Sequence, residues 1–161
     1  MFKTNDKKVC SFFASDYHFE MITLPYIEKE LESNKKVVVF TENSLNDTMQ
    51  FLLSKVNLKE DKKNLIREIN WNNDDKEKFD ELKNMNEDVS IIIKGDEDYI
   101  SKTRQQLDNL NTNSRASFID CYDINSIGNN VSEISKKYNT ILSTLGEVKT
   151  IIMTNYINKL K

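Results

Sequence analysis

Five polar strings carry most of the chemistry available to this chain, and each follows an apolar run. The first is Ala14-Ser15-Asp16-Tyr17-His18, after Val9-Cys10-Ser11-Phe12-Phe13. His18 is the only histidine. Histidine changes charge nearest neutral pH, and serves as a base, a ligand or a switchable donor. The others are Thr41, Glu42 and Asn43 after VVVF; Trp71 and Asn72 after LIREI; Lys94, Asp96 and Asp98 around VSIIIKG; and Tyr122 and Asp123 at the end of SFIDCYD. If the runs are parallel strands, the strings meet, because open parallel sheets bind ligands beyond the carboxyl ends of their strands. A ligand crevice is therefore expected at Tyr17, His18, Glu42, Lys94, Tyr122 and Asp123. Aromatic faces, one cation and two carboxylates suit a small polar or amphipathic ligand better than a polyanion. His18 is the residue expected to make binding depend on pH. The competing reading gives these side chains to helix capping and rim solvation: His18 makes a local bond at a helix entry, and Asp96 and Asp98 satisfy free helix N–H groups.

Other chemistries lack their residues. A phosphate-cradling loop needs glycines and a lysine, and the loop at 14–18 has neither. The dinucleotide Gly-x-Gly-x-x-Gly is absent as well, so no nucleotide cofactor and no triphosphate hydrolysis are expected. A receiver-type acidic site wants paired acids after the first strand and a lysine after the fifth; here Asp16 stands alone and no lysine follows Tyr122-Asp123. One histidine, two distant cysteines and scattered carboxylates make no metal-ligand spacing. Cys10 and Cys121 sit inside apolar runs, where a free thiol behaves as a small hydrophobe. No catalytic constellation is recognisable, and the protein is read as a non-enzyme without cofactor or metal.

Charge narrows the partners. Lys plus Arg is 23 against Asp plus Glu 26, a net −3, so the basic footprint of nucleic-acid or anionic-membrane binding is missing. The expected partner is a small molecule or another protein, a second copy of the chain included. The longest apolar runs are far short of a bilayer span, the first residues lack a signal-peptide pattern, and two cysteines make no disulfide framework. A cytoplasmic protein with reduced thiols is expected.

The elements that must position these residues alternate in kind. Short β-rich runs occupy 9–13, 37–40, 65–69, 89–94, 117–122 and 149–154. Between them, helical spacing covers 17–33, 45–55, 75–85, 97–110 and 129–145. Gly146 is expected as the left-handed cap of the last helix. The segments 57–63 and 70–78 read as solvated turns, and Pro25 is expected to bend or restart the first helix. Alternating strands and helices imply a single α/β domain over 1–161: three layers, a mainly parallel sheet of five or six strands, and helices on both faces. VVVF and SIII are nearly continuous apolar runs, as central strands covered on both sides require; LIREI alternates and is expected nearer an edge. Val38, Val39, Ile91, Ile92, Phe118, Ile134 and Leu142 are expected in the core. Trp71 lies at a polar boundary, where it covers a helix end or lines a pocket with Phe13, Tyr17 and Tyr122.

Two segments resemble a family. Residues 8–42, KVCSFFASDYHFEMITLPYIEKELESNKKVVVFTE, are similar to the opening of the MEDS (methanogen/methylotroph sensory) domain. FIDCYDI resembles that family's late strand. The matching positions are Val9, Cys10, Phe12 and Phe13; Pro25, Tyr26, Leu31 and Lys36 to Val39; and Cys121, Tyr122 and Asp123. Where the family commonly carries a histidine before the apolar–Cys pair, this chain has Lys8. The resemblance implies a RecA-like fold without a working phosphate loop and a sensory role. The expected function is thus a non-catalytic signalling module that binds a small ligand or partner at the strand-end crevice. The alternatives are an interaction subunit with no small ligand, and a small enzyme using His18 with rim carboxylates.

Overall fold

The structure, a computed structural model, describes residues 1–150. The chain runs β1 (Val9–Phe13), α1 (Asp16–Glu32), β2 (Lys36–Thr41), α2 (Asn46–Lys55), α3 (Glu60–Arg67), α4 (Asp75–Lys83), β3 (Val89–Gly95), α5 (Glu97–Asp108), β4 (Ala116–Asp123), α6 (Ile124–Ile127), a 3-10 turn (Gly128–Asn130), α7 (Val131–Ser135), β5 (Thr140–Ser143) and β6 (Gly146–Lys149). One six-stranded sheet has the order β2-β3-β4-β1-β5-β6. Every neighbouring pair is parallel except β5 with β6. This is the expected three-layer α/β fold.

Strand alternation builds two cores. Side chains point to opposite faces every second residue. Val37 and Val39 therefore join Ile92, Ile119 and Cys121 under α1, α2 and α3. Val38 and Phe40 join Ile91, Ile93, Phe118 and Tyr122 under α4, α5, α6 and α7. All seven expected core residues are buried, with Val39 and Ile92 at 0% exposure. The same alternation puts Cys10 in the second core and Cys121 in the first. Both are free thiols, and burial pushes Cys10 up to about 12, which keeps it protonated and inert.

The departures from expectation are local. LIREI at 65–69 is not a strand: Leu65 to Arg67 finish α3, and only Ile66 and Ile69 of this stretch are buried. Five residues hold too little periodicity to tell a strand from a helical turn. The turn expected at 57–63 holds the start of that helix. The turn expected at 70–78 contains the buried Trp71 and Lys78 and the start of α4. The helix expected over 129–145 stops at Ser135, and the chain re-enters the sheet as β5. Gly146 does take a positive φ, 94°, but at the entry to β6, in the tight turn that lets this strand fold back on β5. The strand expected at 149–154 meets β6 at Lys149; residues 151–154 lie outside the described residues. α1 runs through Pro25 as one helix, with Pro25 on the exposed side. Among the described residues, no helix is long and apolar enough to cross a membrane.

Candidate functional site

The strand-end rim brings some of the expected residues together. Ser15 caps α1, its Oγ accepting from the His18 amide at 3.1 Å. His18 Nδ1 accepts from the Ala14 amide at 2.9 Å, a local bond at the helix entry. Lys94 is 3% exposed and faces α1. Its ammonium pairs with Asp16 Oδ1 and donates to Asn43 Oδ1, both at 2.9 Å. It also lies 4.7 Å from the Phe13 ring centroid. Asn43 Nδ2 closes the triangle on Asp16 Oδ2 at 3.0 Å. Glu42 Oε1 accepts from the Asp96 amide at 2.6 Å, and Asp96 in turn caps α5 by accepting from the Tyr99 amide. Asp123 caps α6 by accepting from the Asn125 amide. Tyr17 is 60% exposed.

Tyr122 belongs elsewhere. Its place in the β4 alternation turns it toward α6 and α7, away from Lys94. Phe13 and Trp71 lie in the first core, so the four aromatics do not share a pocket. Trp71 covers the end of α3, its Nε1 donating to the Ile66 carbonyl at 2.9 Å. Among the described residues the rim is thus mostly a set of engaged helix caps around the Lys94–Asp16 pair, with Tyr17 open to solvent.

Glu20 lies next to this network and is 1% exposed. Among the described residues, neither carboxylate oxygen has a hydrogen-bond partner of good geometry, the Thr48 hydroxyl being the nearby group that offers one. Burial pushes its carboxyl up from the ordinary range, with Asp16 adding to the rise and Thr48 and Lys94 opposing it. A carboxyl raised in the folded state favours the fold while protonated, and that benefit is lost as pH climbs through the raised value. Glu20→Gln is therefore expected to stabilise the protein by about 1–2 kcal/mol at pH 7. The gain should shrink toward zero as pH falls to about 4. Urea midpoints of both proteins from pH 4 to 8 measure this; a constant difference refutes the assignment.

Gly95 sits where β3 meets Glu42. A Cβ there would lie 2.4 Å from Glu42 Oε1 and 2.7 Å from Tyr99 Cδ1. The Tyr99 ring is tied down by its hydroxyl, which donates to Asp75 Oδ2 at 2.8 Å. Gly95→Ala should therefore displace Glu42 from the Asp96 amide and cost about 1–3 kcal/mol. A denaturation midpoint equal to that of the parent would show that the contact yields freely.

The opposite face of the sheet holds a second polar cluster, which opens into a cleft. Asp120 points from the middle of β4 toward α5 and α7 and is 4% exposed. Arg104 on α5 donates through Nη1 to both of its oxygens, each at 3.3 Å. Tyr138, between α7 and β5, donates to Oδ2 at 2.6 Å. The Tyr138 hydroxyl also meets the Tyr122 hydroxyl at 2.6 Å. The Arg104 guanidinium lies 4.0 Å from the centroid of the Phe118 ring, and its Nε is buried without a partner. Burial pushes the Asp120 carboxyl up, opposed by Arg104 and Tyr138. Burial likewise pushes Tyr122 up to about 12.

A cavity of about 310 Å³ adjoins this cluster, lined by Arg104, Asp120, Tyr138, Phe118, Lys7, Lys8, Asp108 and Lys137 among others. The sequence reading missed Arg104, Asp120 and Tyr138. One signal was present: Asp120 stands inside the apolar run FIDCY, and a carboxylate at an interior strand position demands a buried donor. Nothing local says which residue supplies it.

Fold and cluster together define an α/β protein that has a glycine-free first loop and a polar cleft on one sheet face. Set against protein-family models, curated proteins and solved structures, the chain has no match.

Proposed function

We propose that the protein is a non-catalytic, cytoplasmic sensory module that binds a small anionic molecule in the cleft between α5, the segment before β1 and the turn after α7. The observation that carries this reading is the charge and shape of the cleft. Four cations, Lys7, Lys8, Arg104 and Lys137, face two carboxylates, Asp108 and Asp120, over an aromatic floor at Phe118. One cation, Lys7, also pairs with Glu147. The excess positive charge suits a carboxylate or phosphate, and the apolar floor suits a short hydrocarbon body. The cleft is preferred to the strand-end rim because four cations line it, against the single lysine, Lys94, that the rim gathers. The resemblance of 8–42 and FIDCYDI to the MEDS domain supports the sensory part of the reading. The signal has a physical route. A ligand that draws Arg104 from Asp120 disturbs the hydroxyl chain through Tyr138 to Tyr122, one residue from the cap of α6.

The test is a thermal-shift screen of small carboxylates and phosphates on the parent, Lys8→Ala and Lys137→Ala. A ligand at about a hundred times its Kd stabilises by about 2.7 kcal/mol, which a melting curve resolves. At least one anion should raise the parent midpoint, and both variants should weaken the response. A screen without any shift, or shifts that ignore both lysines, rejects the proposal.

A further inference from the structure

One edge of the sheet is β6, which pairs only with β5. Its register sets Val148 opposite Ile141 and Glu147 opposite Leu142. The Thr150 amide donates to the Asn139 carbonyl at 3.1 Å. An antiparallel ladder turns alternate residues to the same neighbour, so Gly146, Val148 and Thr150 serve β5. Glu147 and Lys149 therefore turn their N–H and C=O groups away from the sheet, where no described residue bonds them. This edge is open to water: Glu147 and Lys149 are exposed, and Gly146 and Val148 are half-buried.

Residues two apart on a strand share a face. The Glu147 and Lys149 side chains therefore stand together, and Val148 stands on the other face beside Ile141. Edges are commonly guarded by lysines, and like charges directly opposite repel a second copy. Here the two exposed charges have opposite signs. Laid antiparallel on itself about a two-fold axis at Val148, the strand brings Glu147 of each copy opposite the partner's Lys149. The same register makes Glu147 and Lys149 the hydrogen-bonded pair, which their outward groups require. The smallest slip that keeps the bonding phase is two residues, and it sets Glu147 against Glu147 or Lys149 against Lys149. Backbone and charge thus select one register. Lys7 already pairs with Glu147, but a carboxylate accepts from more than one donor. Lys149 has no ion-pair partner among the described residues.

We propose that β6 is a self-association edge: two copies of this chain join through antiparallel β6 strands, Glu147 opposite the partner's Lys149 and Val148 opposite the partner's Val148. The two six-stranded sheets then become one continuous sheet, and the interface is of the self-complementary kind that a two-fold axis demands.

The experiment is sedimentation velocity of the full chain from about 1 to 500 μM, with amide exchange at both ends of that range. A dimer should form within it. The Glu147 and Lys149 amides should gain protection as the dimer forms, while the Val148 amide, which faces β5, is protected throughout. Glu147→Lys and Lys149→Glu should each weaken the dimer at least about tenfold, because each turns both cross-strand pairs into like charges. Combining the two substitutions in one chain should recover most of that loss. An equimolar mixture of the two single variants should form mixed dimers, since each charge then meets its opposite. A chain that stays monomeric to about 500 μM overturns the proposal. A dimer indifferent to both charge reversals overturns it too, because its interface lies elsewhere, as does a double variant and a mixture that recover nothing. Glu147 and Lys149 amides already fully protected in the monomer would mean that the chain covers its own edge, and would also overturn it.

Discussion

Arg104→Ala is expected to destabilise the protein by about 2–4 kcal/mol, somewhat below the cost of removing one partner from a fully buried ion pair, because the Arg104 side chain is 32% exposed. Asp120 is 4% exposed and loses its one charged partner, although water from the adjoining cleft can take part of the space left by the guanidinium. The Tyr138 hydroxyl, already donating to Oδ2, offers one neutral bond in place of a charge. The loss also exposes the face of Phe118 that the guanidinium covers. A net folding stability of about 5–15 kcal/mol makes such a change a large fraction of the whole. Two controls separate charge from shape. Adding Asp120→Asn to Arg104→Ala should recover much of the loss, because no buried charge is then stranded. In Arg104→Ala alone, the deficit should shrink as pH falls. Without its cation the Asp120 carboxyl rises further, and a raised carboxyl destabilises the fold only where it must ionise. Urea denaturation of the three variants at pH 7 and pH 5 gives the answer. Unchanged midpoints for Arg104→Ala would mean that Asp120 is already neutral or that water reaches it.

Lys94→Ala is the second large effect, expected at about 2–4 kcal/mol. The ammonium joins Asp16 on α1 to Asn43 in the loop between β2 and α2, and it lies over the Phe13 and Phe19 rings, 4.7 and 5.5 Å from their centroids. The value lies below the fully buried case because the Asp16 side chain is 36% exposed and regains water when its partner is lost. Lys94→Met keeps most of the stem volume and isolates the charge. It should recover the packing share of the loss and leave Asp16 unpaired. It should also push the Glu20 carboxyl higher, since Lys94 is one of the groups that oppose its rise. A Lys94→Met protein as stable as the parent would show that desolvation cancels the ion pair, which buried pairs often do.

Both variants test residues whose positions the sequence made legible to different degrees. Lys94 and Glu42 were readable from the rule that parallel strands gather their carboxyl ends, and the structure brings Lys94 close to Asp16 and Asn43 as that rule requires. Arg104 and Tyr138 were not readable. Arg104 lies mid-helix among polar neighbours, and Tyr138 lies on an expected helix face that the structure replaces with the turn into β5. Each acquires its role only by facing Asp120 from a separate element.

The sequence by itself determined the strands whose side chains are buried on both faces. VVVF and SIII are apolar at every position but Ser90, so no register or face assignment was needed to recognise them. It also determined the first helix with the local bond of His18 at its entry, the aspartate cap of α5 and the lack of a glycine-rich phosphate-binding sequence, since each rests on residues within one turn of each other; the serine cap of the first helix came from the structure. The tertiary structure decided the rest. LIREI carries a pattern that helix and strand share, and packing of Ile66 and Ile69 against the first core selected the helix. The series from Val131 to Leu145 fits a helix on spacing alone. The free side of β1 needed a partner strand, and Thr140 and Ile141 pair with Val9 and Cys10 there. Hydrogen bonds across a sheet join residues more than a hundred positions apart, and local spacing holds no record of that demand.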